Sequence, residues 1–190
     1  YFEEEIHAAV KVAENAGTYV MVHVYVPRAI TRAVHAGVKS IEHGHLIDEP
    51  TMELIAEKEV WLCMQPFTLD DNQYPTKEQQ EKHIMIVQNT DKAYRLAKKY
   101  QVKLGWGTDL LFNPDNTKNQ NKGIAKLQNW FNNFEILKMV THDNAELLSL
   151  SGSRNPYPEK LGIIEEGALA DMIIINGNAF YEIDLECFEK

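Results

Sequence analysis

Apolar and polar residues follow helical and extended spacing in turn along the chain. Residues 2–16 place apolar side chains on one helical stripe, and Gly17 follows them as a helix C-cap. Residues 18–24 (TYVMVHV) are then a nearly continuous apolar run, which is typical of a strand buried on both faces. The sequence therefore opens with a predicted helix and a predicted buried strand.

The same helix–strand unit recurs three more times. Helices are predicted at about 27–36, from about 50 onwards, and from Thr76, which fits a capping box with Gln79, to about 99. The strands that follow them are predicted at 38–43, 60–67 and 102–109. Helices and strands that alternate at this spacing predict right-handed βαβ units, and hence an α/β fold with a parallel sheet.

The last third of the chain changes character. Helical patterns are predicted at about 124–130 and 134–149, and the two prolines at 156 and 158 indicate a rigid linker. Residues 160–178 (KLGIIEEGALADMIIINGN) predict two short strands with glycine turns between them. We therefore divide the chain into an α/β region at 1–153 and a separate β element at 154–190.

Composition excludes some classes of partner. The formal net charge of −9 leaves no basic face for nucleic acid, and no apolar stretch is long enough to cross a bilayer. Residues 1–20 do not have the pattern of a signal peptide, and localisation stays open. Cys63 and Cys187 lie far apart without CxxC spacing, so two unpaired thiols are expected.

Three side chains with metal-binding chemistry lie at the ends of predicted strands. His23 ends the first strand, His43 the second and Asp109 the fourth. In a parallel β/α barrel these ends face one shared mouth, and imidazole nitrogen and carboxylate oxygen suit Zn²⁺ and similar ions. Each residue alone is more often a hydrogen-bonded rim residue or a helix cap. Their common position in separate units favours a site.

Five segments carry a resemblance to a known family. They are VHVYVPRAI (22–30), AGVKSIEHGHLIDE (36–49), KLGWGTDLL (103–111), EILKMVTHDNAELLSLSG (135–152) and KLGIIEEGALADMIIINGN (160–178). Together they resemble the amidohydrolase superfamily, in particular its imidazolonepropionase-like and Xaa-Pro dipeptidase (prolidase-type) branch. The resemblance implies strands five to eight of a metal-dependent (β/α)₈ barrel, followed by part of a small β-sandwich domain.

The resemblance also implies roles for the strand-end residues. His23 and His43 correspond to ligands of the second metal, expected to be zinc, in a binuclear site. Asp109 corresponds to a ligand of the first metal and to the general base that deprotonates the bridging water. The implied reaction is metal-assisted hydrolysis of an amide in a small peptide-like substrate. Tyr25 and Arg28 are candidates for binding its α-carboxylate, and simple packing at the mouth is an equal alternative.

Two features of the family have no counterpart in the sequence. The first-strand H-x-H motif and the bridging lysine would both lie before Tyr1, and four strands cannot close a barrel of eight. We therefore expect the chain to need an N-terminal half or a second copy, and to bind metal weakly and be inactive alone. The alternatives are an imidazolonepropionase-like cyclic amidohydrolase and a non-catalytic half barrel that serves as an assembly unit.

The remaining histidines and the tryptophans receive structural interpretations. His45 is expected at the rim of the mouth. Surface positions are expected for His35, His83 and His142, and His7 is not expected to be a ligand. Trp61 and Trp106 are expected in the core, whereas Trp130 is expected to line a cleft or an interface.

Overall fold

A four-stranded parallel sheet forms the centre of the fold. The computed structural model describes residues 1–69, 74–110, 117–118, 120–173, 178 and 180. The strands lie side by side in chain order and are β1 (Met21–Val24), β2 (Ser40–His43), β3 (Trp61–Met64) and β4 (Leu104–Trp106). All three pairings are parallel, which confirms the α/β fold with a parallel sheet.

Helices precede and connect the strands as predicted. They are α1 (Glu3–Asn15), α2 (Pro27–His35), α3 (Glu49–Glu57) and α4 (Lys77–Lys99). Side-chain caps begin two of them, because Asp48 accepts a hydrogen bond from the Thr51 amide at 3.1 Å and Thr76 accepts one from the Gln79 amide at 3.3 Å. The predicted start of α4 at Thr76 is thereby confirmed.

The chain after β4 is broken into short helical pieces. They are α5 (Lys122–Lys126) with a 3₁₀ turn (Leu127–Asn129), α6 (Asn133–Lys138), a π-helical turn (Met139–Asp143), α7 (Asn144–Ser149) and a last 3₁₀ turn (Gly152–Arg154). The predicted continuous helix at 134–149 thus contains a π-helical turn. No helix among the described residues has the length and apolar character needed to span a membrane.

The helices cover one face of the sheet more completely than the other. Ile41 of β2 and Leu62 of β3 are fully buried against helical residues such as Ile30 and Ile55. Met21 and His23 of β1 lie on the opposite face and are exposed. The prediction that the first strand is buried on both faces was wrong, because no described element covers this face of β1.

The tail forms less regular structure than its pattern predicts. Among the described residues after 154, the only β pairing is an isolated parallel bridge between Lys160 and Ala168. Gly162 lies against the π-helical turn, where an added Cβ would come within 2.7 Å of the Cα atom of His142. Residues 174–177 of the second predicted strand lie outside the described residues.

Candidate metal centre

The carboxyl ends of β1, β2 and β4 meet at one edge of the sheet. Nδ1 of His23 lies 2.9 Å from Nε2 of His43, and the same Nε2 lies 4.0 Å from Oδ2 of Asp109. His43 is buried, whereas Asp109 is half-buried and His23 is exposed. The structure therefore brings together the three side chains that the sequence singled out.

Left-handed backbone at two of these residues shapes the site. His43 has a φ of 80° and Asp109 a φ of 50°, a conformation that costs a residue with a side chain roughly 1–2 kcal/mol. Strand alternation would put the His43 side chain on the face of its register partner Val24, which is the face opposite to His23. Because the chain leaves the extended conformation at His43, its imidazole meets that of His23 at the edge of the sheet.

The side chain of Gln65 is hydrogen-bonded to the His43 ring. Nδ1–H of His43 donates a hydrogen bond to Oε1 of Gln65 at 2.8 Å, and both side chains are only 4% exposed. With its proton on Nδ1, His43 directs the lone pair of Nε2 towards His23. Gln65 was not among the predicted site residues, because the apolar run of 60–67 placed it inside the third predicted strand.

Tyr25 packs on a face of the His43 imidazole, whereas Gln65 contacts the edge of the same ring. The two rings are stacked, with centroids 4.6 Å apart and planes 5° from parallel. Burial, and then the charge of Asp109, raises the pKa of Tyr25 to about 12, so the hydroxyl is a hydrogen-bond donor at neutral pH. Arg28, its predicted partner, is exposed in the first turn of α2 and makes no hydrogen bond or ion pair with the described residues.

His45 is fully buried, so its predicted position at the rim was wrong. Its Nε2–H donates to the main-chain oxygen of Gln65 at 2.9 Å, and its Nδ1 has no hydrogen-bond partner among the described residues. Burial is the main reason that the pKa of His45 falls to about 4. The imidazole is therefore neutral at physiological pH, and its ring lies between those of Tyr25 and Phe67.

The prediction that His83 lies at the surface was wrong, because its ring is buried against Phe67 and Tyr74. Nε2–H donates to the main-chain oxygen of Thr68 at 3.2 Å, and the ring packs against Tyr74 with centroids 5.2 Å apart. Burial and then the charge of Asp109 raise the pKa of Tyr74. Tyr74 lies in the irregular segment before α4, where no pattern marked it in advance.

The carboxylate of Glu42 lies on the same face of the sheet as His23. Glu42 is the register partner of both His23 and Cys63, and its carboxylate accepts a 2.6 Å hydrogen bond from Oγ of Ser40. Burial first, and then Glu42, raises the pKa of the Cys63 thiol. Cys63 is unpaired, as expected, and Cys187 lies outside the described residues.

The two facing imidazole nitrogens of His23 and His43 lie slightly closer together than a shared divalent metal requires. Two nitrogens bound to one tetrahedral Zn²⁺ lie about 3.3 Å apart, so a small outward shift from 2.9 Å opens the site. Asp109 is within reach of a neighbouring ion, since paired catalytic metals lie roughly 3.5–4 Å apart. These donors do not form a closed cluster among the described residues, where the only three-residue group with all ligand atoms within 4.8 Å is His142, Asp143 and Glu146. The strand-end residues thus fit an open metal site.

Comparison with known proteins identifies the family. A sequence profile described as the amidohydrolase family matches residues 1–188. The chain belongs to this family. It is 28% identical over 185 residues to the ochratoxinase of Aspergillus niger, a match that covers 95% of this chain and 37% of that protein.

Solved structures of amidohydrolase relatives share both the fold and the partial coverage. A prolidase complexed with N-methylphosphonate-L-proline is 32% identical, with a TM-score of 0.84, and the match covers 100% of this chain and 46% of that one. An Xaa-Pro dipeptidase with bound methionine is 27% identical, with a TM-score of 0.78, over 97% of this chain and 45% of that one. The predicted resemblance to prolidase-type amidohydrolases is confirmed, and the chain spans less than half the length of these relatives.

The other histidines and tryptophans lie outside this edge of the sheet. His35 is exposed as predicted, and His7 is exposed as well. His142 is half-buried beside Asp143. Trp61 is buried as predicted, whereas Trp106 is only half-buried because β4 pairs with one strand alone. The ring of Trp130, also half-buried, packs on Tyr94 with centroids 4.5 Å apart.

Proposed function

We propose that the chain carries part of the active site of a metal-dependent hydrolase of amide bonds, of the Xaa-Pro dipeptidase type. The observation that carries the proposal is the approach of His23, His43 and Asp109 at the carboxyl edge of a parallel sheet. Residues 1–153 then supply strands five to eight of a (β/α)₈ barrel, and residues 154–190 supply part of a β-sandwich domain. An N-terminal half or a second copy of the chain completes the barrel over the exposed face of β1.

The site residues divide the chemistry between them. Nδ1 of His23 and Nε2 of His43 would hold one divalent ion, which we expect to be zinc, and Asp109 would contribute to the neighbouring position. Bound metal supplies a lowered pKa for water and a polarised substrate carbonyl. The carboxylate of Asp109 accepts the proton of the attacking water and passes it to the leaving nitrogen, as a general base and then a general acid.

Tyr25 and Arg28 supply the proposed recognition of the substrate's α-carboxylate. The protonated phenol of Tyr25 is a donor beside His43, and the exposed Arg28 has no competing acidic partner among the described residues. A guanidinium binds a carboxylate through two parallel hydrogen bonds, which gives it geometric selectivity. Both solved relatives described above hold ligands built on an α-amino acid, which supports a dipeptide as the substrate.

Steady-state kinetics with the complete polypeptide that contains this chain test the proposal. We expect Asp109→Asn to lower kcat on an Xaa-Pro dipeptide by about 100-fold or more, since general-base catalysis contributes roughly 10²–10⁴-fold. We expect Tyr25→Phe and Arg28→Ala to raise KM for the free dipeptide and not for its C-terminal amide. His35→Ala, an exposed residue of α2, is the matched control and should leave both constants unchanged.

Four outcomes would contradict parts of the proposal. Full activity of Asp109→Asn would rule out Asp109 as the general base. An equal change of KM for the free dipeptide and for its amide in Tyr25→Phe and Arg28→Ala would rule out recognition of the α-carboxylate by these residues. Turnover of an imidazolone with none of the dipeptide would favour the cyclic-amide alternative. A catalytically silent complete polypeptide that forms stable dimers through this chain would favour the assembly unit.

A further inference from the structure

A buried hydrogen-bonded clamp, built from Gln65 and His45, stands behind His43. We propose that Gln65 is a positioning residue that fixes the Nδ1–H tautomer and the rotation of His43, and that His45 holds Gln65 in place. This inference rests on the metal site proposed above, because it explains how Nε2 of His43 is kept free for a cation.

Two contacts define the orientation of the His43 imidazole. Stacking on Tyr25, with planes 5° from parallel, sets the plane of the ring. The 2.8 Å hydrogen bond to Oε1 of Gln65 then sets the rotation of the ring within that plane. Because His43 and Gln65 are both 4% exposed, water has little access to replace this acceptor if it is removed.

Two hydrogen bonds hold the main chain of Gln65 in place. Its carbonyl oxygen accepts hydrogen bonds from the Phe67 amide and from Nε2–H of His45, each at 2.9 Å. Pro66, which follows Gln65, has no amide hydrogen to extend the strand pairing. The main-chain position of Gln65, from which its side chain reaches His43, is therefore held by the contacts of its carbonyl oxygen and not by the pairing of β3, which ends at Met64.

The choice of histidine at position 45 supports this role. Nδ1 of His45 is buried without a partner among the described residues, and an unmade hydrogen bond of this kind is unfavourable. A phenylalanine in the same stack between Tyr25 and Phe67 would avoid that cost. What phenylalanine cannot provide is the Nε2–H donor to Gln65, so the hydrogen bond is the feature that requires histidine.

The clamp predicts an effect on both the tautomer and the metal affinity of His43. Without the acceptor at Gln65, Nδ1–H loses its partner and the proton can reside on Nε2, where it blocks the ligand atom. Partners that orient metal-binding histidines typically change metal affinity by 10–100-fold when they are replaced. A shorter or apolar residue at position 65 should therefore weaken zinc binding without removing either ligand.

Nitrogen NMR of the metal-free complete polypeptide, labelled with ¹⁵N-histidine, tests the clamp directly. We expect the wild type to show the Nδ1–H tautomer at His43, and Gln65→Leu to populate Nε2–H. We expect a chelator competition to show about 10–100-fold weaker zinc binding in Gln65→Leu and recovery in Gln65→Glu, which restores an acceptor. Gln88→Leu, at an exposed position of α4, is the matched control.

The outcomes separate the clamp from the metal site itself. Unchanged tautomer and zinc affinity in Gln65→Leu would overturn the clamp and leave the metal site standing. A wild type that binds no zinc would instead overturn the proposed metal site, while the metal-free tautomer would still test the clamp. If Gln65→Leu does not fold, Gln65→Asn withdraws the same acceptor by one methylene and should shift the tautomer in the same direction.

Discussion

The thiol of Cys63, on the face of the sheet that carries His23, is held in its unreactive protonated form. It is 8% exposed, and burial and the carboxylate of Glu42 both disfavour its thiolate, which is the reactive form. We expect Cys63 to resist iodoacetamide at pH 8 in the folded protein and to react once urea is added. Mass spectrometry of the digested protein locates the label. Rapid native labelling at Cys63 would contradict the burial of this strand face.

The neutral imidazole of His45 makes stability depend on pH. Its pKa is about 4 in the folded protein, against 6.5 for an ordinary histidine, so the unfolded chain takes up the proton first as the pH falls. Stability should therefore be fully present above pH 6.5 and should decline towards pH 4, by about 2 kcal/mol at pH 4.5. Urea denaturation at pH 7 and 4.5 measures it. His45→Phe should lose this component, and an equal pH dependence in that variant would assign the effect elsewhere.

At the residue scale, the sequence predicted the candidate metal ligands but not the buried residues that contact them. His23, His43 and Asp109 could be found because each ends a predicted strand, and strand ends of parallel sheets share an edge. Gln65 and the burial of His45 could not, because their interaction joins residues of different units through atoms that no spacing pattern records. The left-handed backbone conformation of His43 could not be predicted either, since histidine is no strong indicator of that conformation.

At the element scale, the free side of β4 is closed by a helix rather than by a strand. Oδ1 of Asn144, at the start of α7, accepts from the Trp106 amide at 2.9 Å, and Nδ2 donates to the Trp106 carbonyl at 3.0 Å. The side chain thus satisfies the same two groups that a neighbouring strand would. This contact holds the end of β4, from which the chain continues to Asp109.

Replacement of Asn144 tests this edge contact. We expect Asn144→Ala to lower the free energy of unfolding by roughly 1–3 kcal/mol, because two backbone groups of a half-buried residue lose their partner. Hydrogen exchange of the Trp106 amide should accelerate while that of core amides in β3 does not. Asn129→Ala, which removes only a local bond to the carbonyl of Lys126, is the control and should leave Trp106 unaffected.

The elements themselves were predictable where the pattern was long and bounded. The first four helices and all four strands lie where apolar spacing, glycine and proline put them, although the strands are shorter because pairing ends before the apolar run does. The π-helical turn at Met139–Asp143 interrupts a helix whose periodicity looked continuous. The pattern of 160–173 predicted paired strands, but these residues form one isolated bridge, between Lys160 and Ala168.

At the scale of the whole molecule, two distant parts of the chain touch through glycines. Gly17 ends the segment after α1, and Gly152 begins the last 3₁₀ turn. A Cβ added at Gly152 would lie 2.3 Å from the main-chain oxygen of Gly17, and one added at Gly17 would lie 2.8 Å from Oγ of Ser153. Since α1 precedes β1 and the 3₁₀ turn follows β4, this contact links the units at the two edges of the sheet.

A pair of alanine substitutions separates this contact from backbone strain. Gly152 and Gly167 both have left-handed φ values, +56° and +86°, but nothing lies within 4 Å of a Cβ at Gly167. We expect Gly167→Ala to cost about 1–2 kcal/mol from backbone conformation alone. Gly152→Ala should cost clearly more, because the backbone oxygen of Gly17 must also move. Urea denaturation of both variants measures the difference, and equal losses would mean that the two edge units do not pack together in solution.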